Sequence, residues 1–352
     1  LESAYTQIID IIPATASEGK LLTGTVNGTA ISREVPASSS LAAEATALEL
    51  LVEAVTGITS AAVSSTVTAT STAGLLFQHA WNRNIKVLDQ TVDAGFNANI
   101  ALILDEDDEW YGFTLGPSSA AYTLLGAAWA EANGKLFFPQ SSDWNVIDGS
   151  QTNDIASQLK ALAYTRTAGI WHRYLGGTQW AADAFMSSFL GRDPGAATPA
   201  FKTLAGISAD DLRTGEKTAL ETKRFTRYME EGGANITFEG KTPSGRFIDV
   251  TRNVDWIDAE VRANIYQVFL NNPVVPYSNA GISLIKGAVE QALKTGTEKG
   301  IVAIEPAPLV TVPALSDTTS ADRAGRILRN VNFTARLNGA IHRTVVRGKV
   351  SV

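Results

Sequence analysis

The sequence predicts a multidomain α/β chain of mixed α+β character: a small outer α/β module, a βαβ-type middle region, and a C-terminal part ending in an extended β-arm. Three observations carry that prediction. The 352 residues are enough for two or three domains. From about residue 86 to 175, short apolar runs alternate with amphipathic helical stretches, the pattern of βαβ units in a largely parallel sheet. From Val331 onward, apolar and polar residues alternate almost to the last residue.

Taken in order, residues 1–85 read as the outer module. Val26-Asn27-Gly28-Thr29 marks a hairpin within Lys20–Val35, because Asn-Gly tolerates positive φ. Ser38–Ser40 offers an N-cap for a helix over Leu41–Val55, with Leu41, Ala45, Leu48, Leu51, Val52 and Val55 on one face. Ala61–Thr70, rich in Val, Thr and Ala, predicts a strand.

Residues 86–250 form the expected middle domain. Strands are predicted at Ile85–Leu88, Trp110–Leu115, Lys135–Phe138 and Thr167–Trp171. Helices are predicted over Asp93–Leu104, from a Ser118 cap to Ala132, over Asn153–Ala163 and over Gln179–Leu190. The helix after Ser118 would bury Ala121, Leu124, Leu125, Ala128 and Ala132. Gly191–Gly206, with its Pro and Gly residues, reads as loop. Glu216–Met229 reads as helix, and Asn235–Val250 as a hairpin around Pro243-Ser244-Gly245.

Residues 251–352 form the third expected domain. Asp255, with Asp258 three residues on, predicts a helix start, and Asn271-Asn272-Pro273 its end. Ser278 starts a second helix that would bury Ile282, Ile285, Ala288, Val289 and Ala292. Residues 306–321 read as a Pro/Ser/Thr linker. The arm spans about 323–352. Its last stretch, Ile341–Val352, reads as a strand with Thr344, Val346, Gly348, Val350 and Val352 on one face. Arg343, Val345, Arg347, Lys349 and Ser351 take the other. A strand with nothing after it to cover it needs a sheet edge to lie on.

Composition narrows the function classes. The chain is 45% hydrophobic and 18% charged, an ordinary globular balance. It has no cysteine, which excludes disulfides and thiolate metal sites and fits a reducing cytoplasm. Leu1–Lys20 lacks the basic start and apolar run of a leader. The longest apolar run, Ala98–Leu104, is too short to span a bilayer, so no membrane anchor is expected. The sequence opens on Leu1 rather than Met, which fits a fragment or a processed product. The net charge is −7, yet residues 323–352 hold seven basic residues and no acid, which leaves −14 on the rest. A basic tail on an acidic body points to nucleic acid, an acidic partner or self-association.

Few residues point to catalysis. His79, His172 and His342 sit at no metal-ligand spacing. His172 follows Trp171 at a strand end, where catalytic residues can lie, but a structural histidine is the expected reading. Asp105-Glu106-Asp107-Asp108-Glu109 could hold a divalent cation or accept a basic arm; it lacks the spaced acids of a calcium loop, and a solvated loop is favoured. Gly112–Pro117 lacks the glycines and lysine of a phosphate loop, and no nucleophile elbow occurs. The seven tryptophans read as core or interface residues. No catalytic, cofactor-binding or metal residue is assigned.

Several stretches resemble the tail sheath proteins of contractile-tailed bacteriophages. They are Trp110-Tyr111-Gly112-Phe113, Ala127–Phe138, Leu159-Lys160-Ala161-Leu162 leading into Tyr164–Thr167, Trp256-Ile257-Asp258-Ala259, Pro276–Ile282, and Gly339–His342 through Gly348–Val352. The resemblance covers roughly residues 86–352 and rests on the order of short motifs. It implies a tail-sheath-like fold and a structural role, not an enzyme. Subunits would form a homo-oligomer of stacked hexameric rings around a tail tube protein, with baseplate and tail-terminator proteins at the ends. They would be assembled in the host cytoplasm and carried in the virion. Terminal arms would add strands to sheets of neighbouring subunits. On that reading the C-terminal interface residues are Ile341, Arg343, Thr344, Val346, Arg347, Lys349, Val350 and Val352. The matching N-terminal arm is not visible.

Two rivals remain in view. An α/β enzyme would need convergent polar groups at strand ends. A nucleic-acid-binding protein would use the basic tail, against repulsion from the acidic body. Neither a cofactor nor nucleic acid is expected.

Overall fold

The computed structural model describes residues 6–72, 75, 77–90, 95–116, 119–174 and 179–348. The chain divides into two units, Leu1–Gly191 with Pro199–Ile248, and Arg192–Thr198 with Asp249–Val352. The expected mixed α/β character holds throughout.

The first unit begins with β1 (Ile8–Pro13), a strand missing from the sequence-based reading. The hairpin β2 (Leu21–Val26) and β3 (Thr29–Glu34) follows, then α1 (Leu41–Glu53), β4 (Ile58–Val63), β5 (Thr66–Ser71), β6 (His79–Trp81) and β7 (Ile85–Asp89). Strand order is β4-β5-β1-β7 in one sheet and β3-β2-β6 in another. The β2–β3 turn uses Asn27 and Gly28 at φ 47° and 80°, as expected of Asn-Gly. Ser40 caps α1 by accepting from the Ala43 N–H. Ala45, Leu48, Val52 and Val55 are buried; Leu41 and Leu51 lie at the margin of the stripe and are exposed. The single strand expected over Ala61–Thr70 is instead two, because Ser64 adopts φ 56° and reverses the chain. Ile9 and Ile11 of β1 join Leu48, Val67 and Trp81 in one core.

Next come α2 (Phe96–Glu106), β8 (Gly112–Phe113), α3 (Ala120–Asn133), β9 (Leu136–Phe137), β10 (Gln140–Ser141), α4 (Ile155–Leu162), β11 (Ile170–Trp171), α5 (Ala181–Leu190), α6 (Thr214–Lys223), β12 (Thr226–Glu231) and β13 (Ala234–Phe238). β8 and β9, joined through α3, are parallel, as are β10 and β11, joined through α4, and β11 and β12. These are the expected βαβ units.

Four local expectations fail for identifiable reasons. The helix expected over Glu216–Met229 stops at Arg224, which adopts φ 63°, and the chain continues as β12 with Thr226–Met229 buried. The hairpin expected around Pro243-Ser244-Gly245 shrinks to a turn closed by one antiparallel bridge, Lys241–Phe247, because Ala234–Phe238 pairs instead with β12 through Gly232-Gly233. α3 buries Tyr122, Thr123, Gly126, Ala127 and Ala130 rather than the expected stripe. Its face is set by Phe137, whose ring would lie 2.9 Å from a Cβ placed on Gly126. The helix cap is Ser119; Ser118 lies outside the described residues, as does Asp93.

Polar staples join segments far apart in sequence. The Glu131 carboxylate accepts from the Thr165 N–H (2.9 Å), the Thr165 hydroxyl (2.7 Å) and the Arg166 N–H (3.0 Å). Buried Lys223 donates to the carbonyls of Asn145 (2.6 Å) and Asp148 (2.8 Å) and to Asp154 Oδ2 (2.7 Å). Each satisfies groups that would be costly to bury alone.

The second unit holds α7 (Ile248–Asn271), α8 (Asn279–Glu298), β14 (Leu309–Thr311), a 3₁₀ turn at Leu315–Asp317, α9 (Ser320–Ala324) and β15 (Asn332–Thr334). The expected start of its first helix at Asp255 is wrong: α7 begins at Ile248, so Asp255 and Asp258 lie inside it. α7 ends as expected before Pro273, and α8 buries every residue expected of it. The expected linker 306–321 carries β14, the 3₁₀ turn and the start of α9.

His79 tests the outer module's core. Its ring is buried, and neither nitrogen has a hydrogen-bond partner among the described residues. Burial pushes its pKa down to about 4. The unfolded chain takes up a proton below about pH 6.5 that the folded ring refuses. Stability should therefore fall from about pH 6.5 towards pH 4, by about 3 kcal/mol in all. Urea melts at pH 7 and 4.5 should show this slope in the natural chain and a shallower one in His79→Leu. Equal slopes would remove His79 as the cause.

Candidate subunit-interface segment

The C-terminal segment is positioned by the core of the second unit. Ile257 of α7, Val289 and Leu293 of α8, and Ile301, Val302 and Val310 form that core, with Trp256, Val261, Ile265, Val331, Ala335 and Leu337 packed against it. β14 and β15 pair antiparallel, Val310 opposite Phe333. Beyond β15 the chain runs along residues 301–303: the Ala303 N–H donates to the Arg336 carbonyl (2.7 Å), and the Asn338 N–H to the Ile301 carbonyl (2.9 Å). Val331, Ala335 and Leu337 of the predicted alternation face the core, whereas Phe333 is exposed.

Residues 341–348 form no strand within this chain. Ile341, Val345 and Val346 are 86%, 84% and 84% exposed, and Arg343, Thr344 and Arg347 are exposed too. Lys349, Val350 and Val352 lie outside the described residues. Three large aliphatic side chains exposed within six residues of sequence are unusual for a surface segment with nothing to cover it.

The segment starts at a polar cluster the sequence did not reveal. His342 Nε2 lies 2.8 Å from the Thr198 hydroxyl. Thr198 in turn hydrogen-bonds the Asp249 carboxyl in the first turn of α7, where burial pushes the carboxyl's pKa up. Only tertiary structure joins positions 198, 249 and 342.

The other candidates are engaged by neighbours within the first unit. His172 is fully buried; its Nδ1 lies 2.9 Å from Asp210 Oδ2 and its Nε2 3.3 Å from Gln179 Oε1. Asp210 also accepts from the Arg173 N–H, so these hydrogen bonds tie the end of β11 to the chain leading into α6. The acidic run is largely self-contained. Asp107 accepts from the Glu109 N–H (2.7 Å), Asp108 pairs with Lys135 (2.9 Å), and Trp110 Nε1 donates to the Asp107 carbonyl (2.9 Å). An open groove of about 480 Å³ beside it is lined by Leu102, Ile103, Asp105 and Asp107, among others. Among the described residues, no group of three or more His, Asp or Glu is placed to hold a metal ion. No helix among them is long and apolar enough to cross a membrane.

Comparison with known proteins places this geometry. Residues 248–305, covering α7, α8 and the following turn, match the family described as E217 tail sheath protein gp31-like, C-terminal domain. No curated protein matches the sequence. In fold, the chain is similar to one in the 6-fold symmetrised baseplate of the anti-feeding prophage, with 14% identity, a TM-score of 0.52 and 75% of each chain covered. It is also similar to one in the sheath complex of an extracellular contractile injection system, PVC, in its contracted state. There the identity is 14%, the TM-score 0.51, and coverage 71% of this chain and 73% of that one. The resemblance to tail sheath proteins thus holds in sequence over α7–α8 and in fold over most of the chain.

The motif Pro276–Ile282, inside the matched stretch, has a steric basis. Ser278 caps α8 through the Gly281 N–H, and a Cβ on Gly281 would lie 1.9 Å from the Pro276 carbonyl oxygen. Gly281→Ala should therefore cost about 1–3 kcal/mol by displacing the start of α8. Urea denaturation checks it, and an unchanged midpoint would mean the turn relaxes freely.

Proposed function

We propose that this chain is a structural subunit of a contractile tail sheath. It would stack as hexameric rings around a tail tube and shorten to drive the tube through a host envelope. One observation carries the reading: the unit whose helices match a sheath C-terminal domain delivers an exposed, apolar and basic segment at residues 341–348. Strand addition to a neighbour's sheet would cover its backbone and its exposed valines together.

On this reading residues 1–85 are an outer decoration, 86–250 the middle sheath domain, and 251–352 the inner domain with its arm. The partners are further copies of the chain, the tail tube protein, and baseplate and terminator proteins at the ends. The particle is assembled in the host cytoplasm and carried in the virion. Contraction draws on the difference in interface free energy between two packings of the same subunits.

Removing Ile341–Val352 should leave a subunit with an unchanged melting temperature that no longer forms tubes or rings in electron micrographs. Normal sheaths from the truncated chain would refute the arm's role.

Charge gives a second test. If the basic arm docks on acidic surfaces of neighbours, such as Asp105–Glu109, then Arg343→Glu with Arg347→Glu should weaken assembly roughly tenfold at low salt and less at high salt. Sedimentation across a salt series measures this. Assembly unaffected at every ionic strength would rule out electrostatic docking.

A further inference from the structure

The arm's departure point shows more organisation than an exposed tail needs. The pairing of Asn338 with Ile301 is followed by Gly339, whose missing side chain leaves the backbone free to swing. The hydrogen bond at His342 then ties the chain down again. Its platform is closely packed. Arg252 Nη2 donates to the Arg192 carbonyl at 2.6 Å. A Cβ on Gly195 would lie 2.6 Å from both Ile301 Cγ1 and the Lys299 carbonyl oxygen, so the 192–198 loop lies flat on the turn after α8. Thr198 closes that loop, and Asp249 opens α7, where an acid is favoured by the helix dipole.

We propose that His342, Thr198 and Asp249 form a latch that fixes the direction in which the C-terminal arm leaves the subunit. The Thr198 hydroxyl has one proton. With that proton directed to the Asp249 carboxylate, the Thr198 oxygen accepts from His342 Nε2–H, giving a relay of two hydrogen bonds from arm to helix. Without the latch, the arm would pivot at Asn338. With it, the pivot moves four residues on and the swinging arm is shorter by roughly 13 Å. A shorter, aimed arm samples less space and meets a neighbour's sheet edge at higher effective concentration. His342 is then a positioning residue: held on the subunit body near the start of the arm, it aims the residues that follow it.

The latch presupposes that the arm joins subunits, but it can be tested on the unassembled chain. Trypsin cleaves after arginine, and Arg343 directly follows the latch while Arg347 lies beyond it. His342→Ala should speed cleavage after Arg343 about fivefold, the population change expected from losing one hydrogen bond. Cleavage after Arg347 and the melting temperature should not change. His342→Gln, which restores an N–H donor, should recover most of the protection. Thr198→Val breaks the relay from the platform side and should match His342→Ala, which covers the case in which substitution at 342 disturbs folding. Natural-rate cleavage after Arg343 in both His342→Ala and Thr198→Val would overturn the latch. A latch confirmed in this way, together with normal assembly of the chain truncated before Ile341, would show that the latch exists and the arm's role does not.

Discussion

The short antiparallel contact between residues 301–303 and 336–338 governs the C-terminal unit, because it decides where the chain leaves the folded body. Two backbone hydrogen bonds, which set Val302 opposite Leu337, hold it. Ile301, Val302 and Ala303 are buried, so these hydrogen bonds lie where water does not compete for them. α8 presents Val289 and Leu293 to the same core, and Gly296 lets Val302 and Trp256 close over its last turn. With α7, α8, β14 and β15 locked around this contact, the chain past Asn338 leaves the core, touching the body again at His342 before the exposed side chains of Val345 and Val346.

That division of labour suits the lattice role proposed for the chain. A subunit that rotates against its neighbours needs a body that keeps its shape and connections that do not break. In the first unit the body is reinforced by polar staples at part-buried Glu131, at buried Lys223 and at the buried His172–Asp210 pair. Such groups gain little over apolar packing in free energy, but a wrong register would leave them unsatisfied, so they favour one arrangement. His172, which invited a catalytic reading from its place at a strand end, belongs to this set.

The sequence was most legible where local chemistry is strong. The Asn27-Gly28 turn, the Ser40 and Ser278 caps and the buried face of α8 all follow from rules acting within a few residues. It misled where tertiary contacts outweigh local preference. Thr226–Met229 continues a helical pattern, yet becomes a strand because β11 and β13 flank it. Asp255 and Asp258 imitate a capping box, but the helix has already begun at Ile248, where the chain leaves the preceding sheet region. β1 escaped notice because Ile8–Pro13 is short and carries few flanking signals, although it lies between two partners in its sheet.

By itself, the sequence determined the class of the fold, the alternation of strands and helices in the middle region, the order of the sheath-like motifs, and the concentration of basic charge at the C-terminal end. Each depends on composition or on spacing along one segment. The tertiary structure alone decided which face α3 buries, that Glu131 clasps Thr165 and Arg166, that His172 is a buried structural pair, and that Thr198, Asp249 and His342 meet at the base of the arm. The last three sets of contacts join residues 34 to 144 positions apart. No local pattern encodes such a distance, because the pairing exists only once the cores have closed around it.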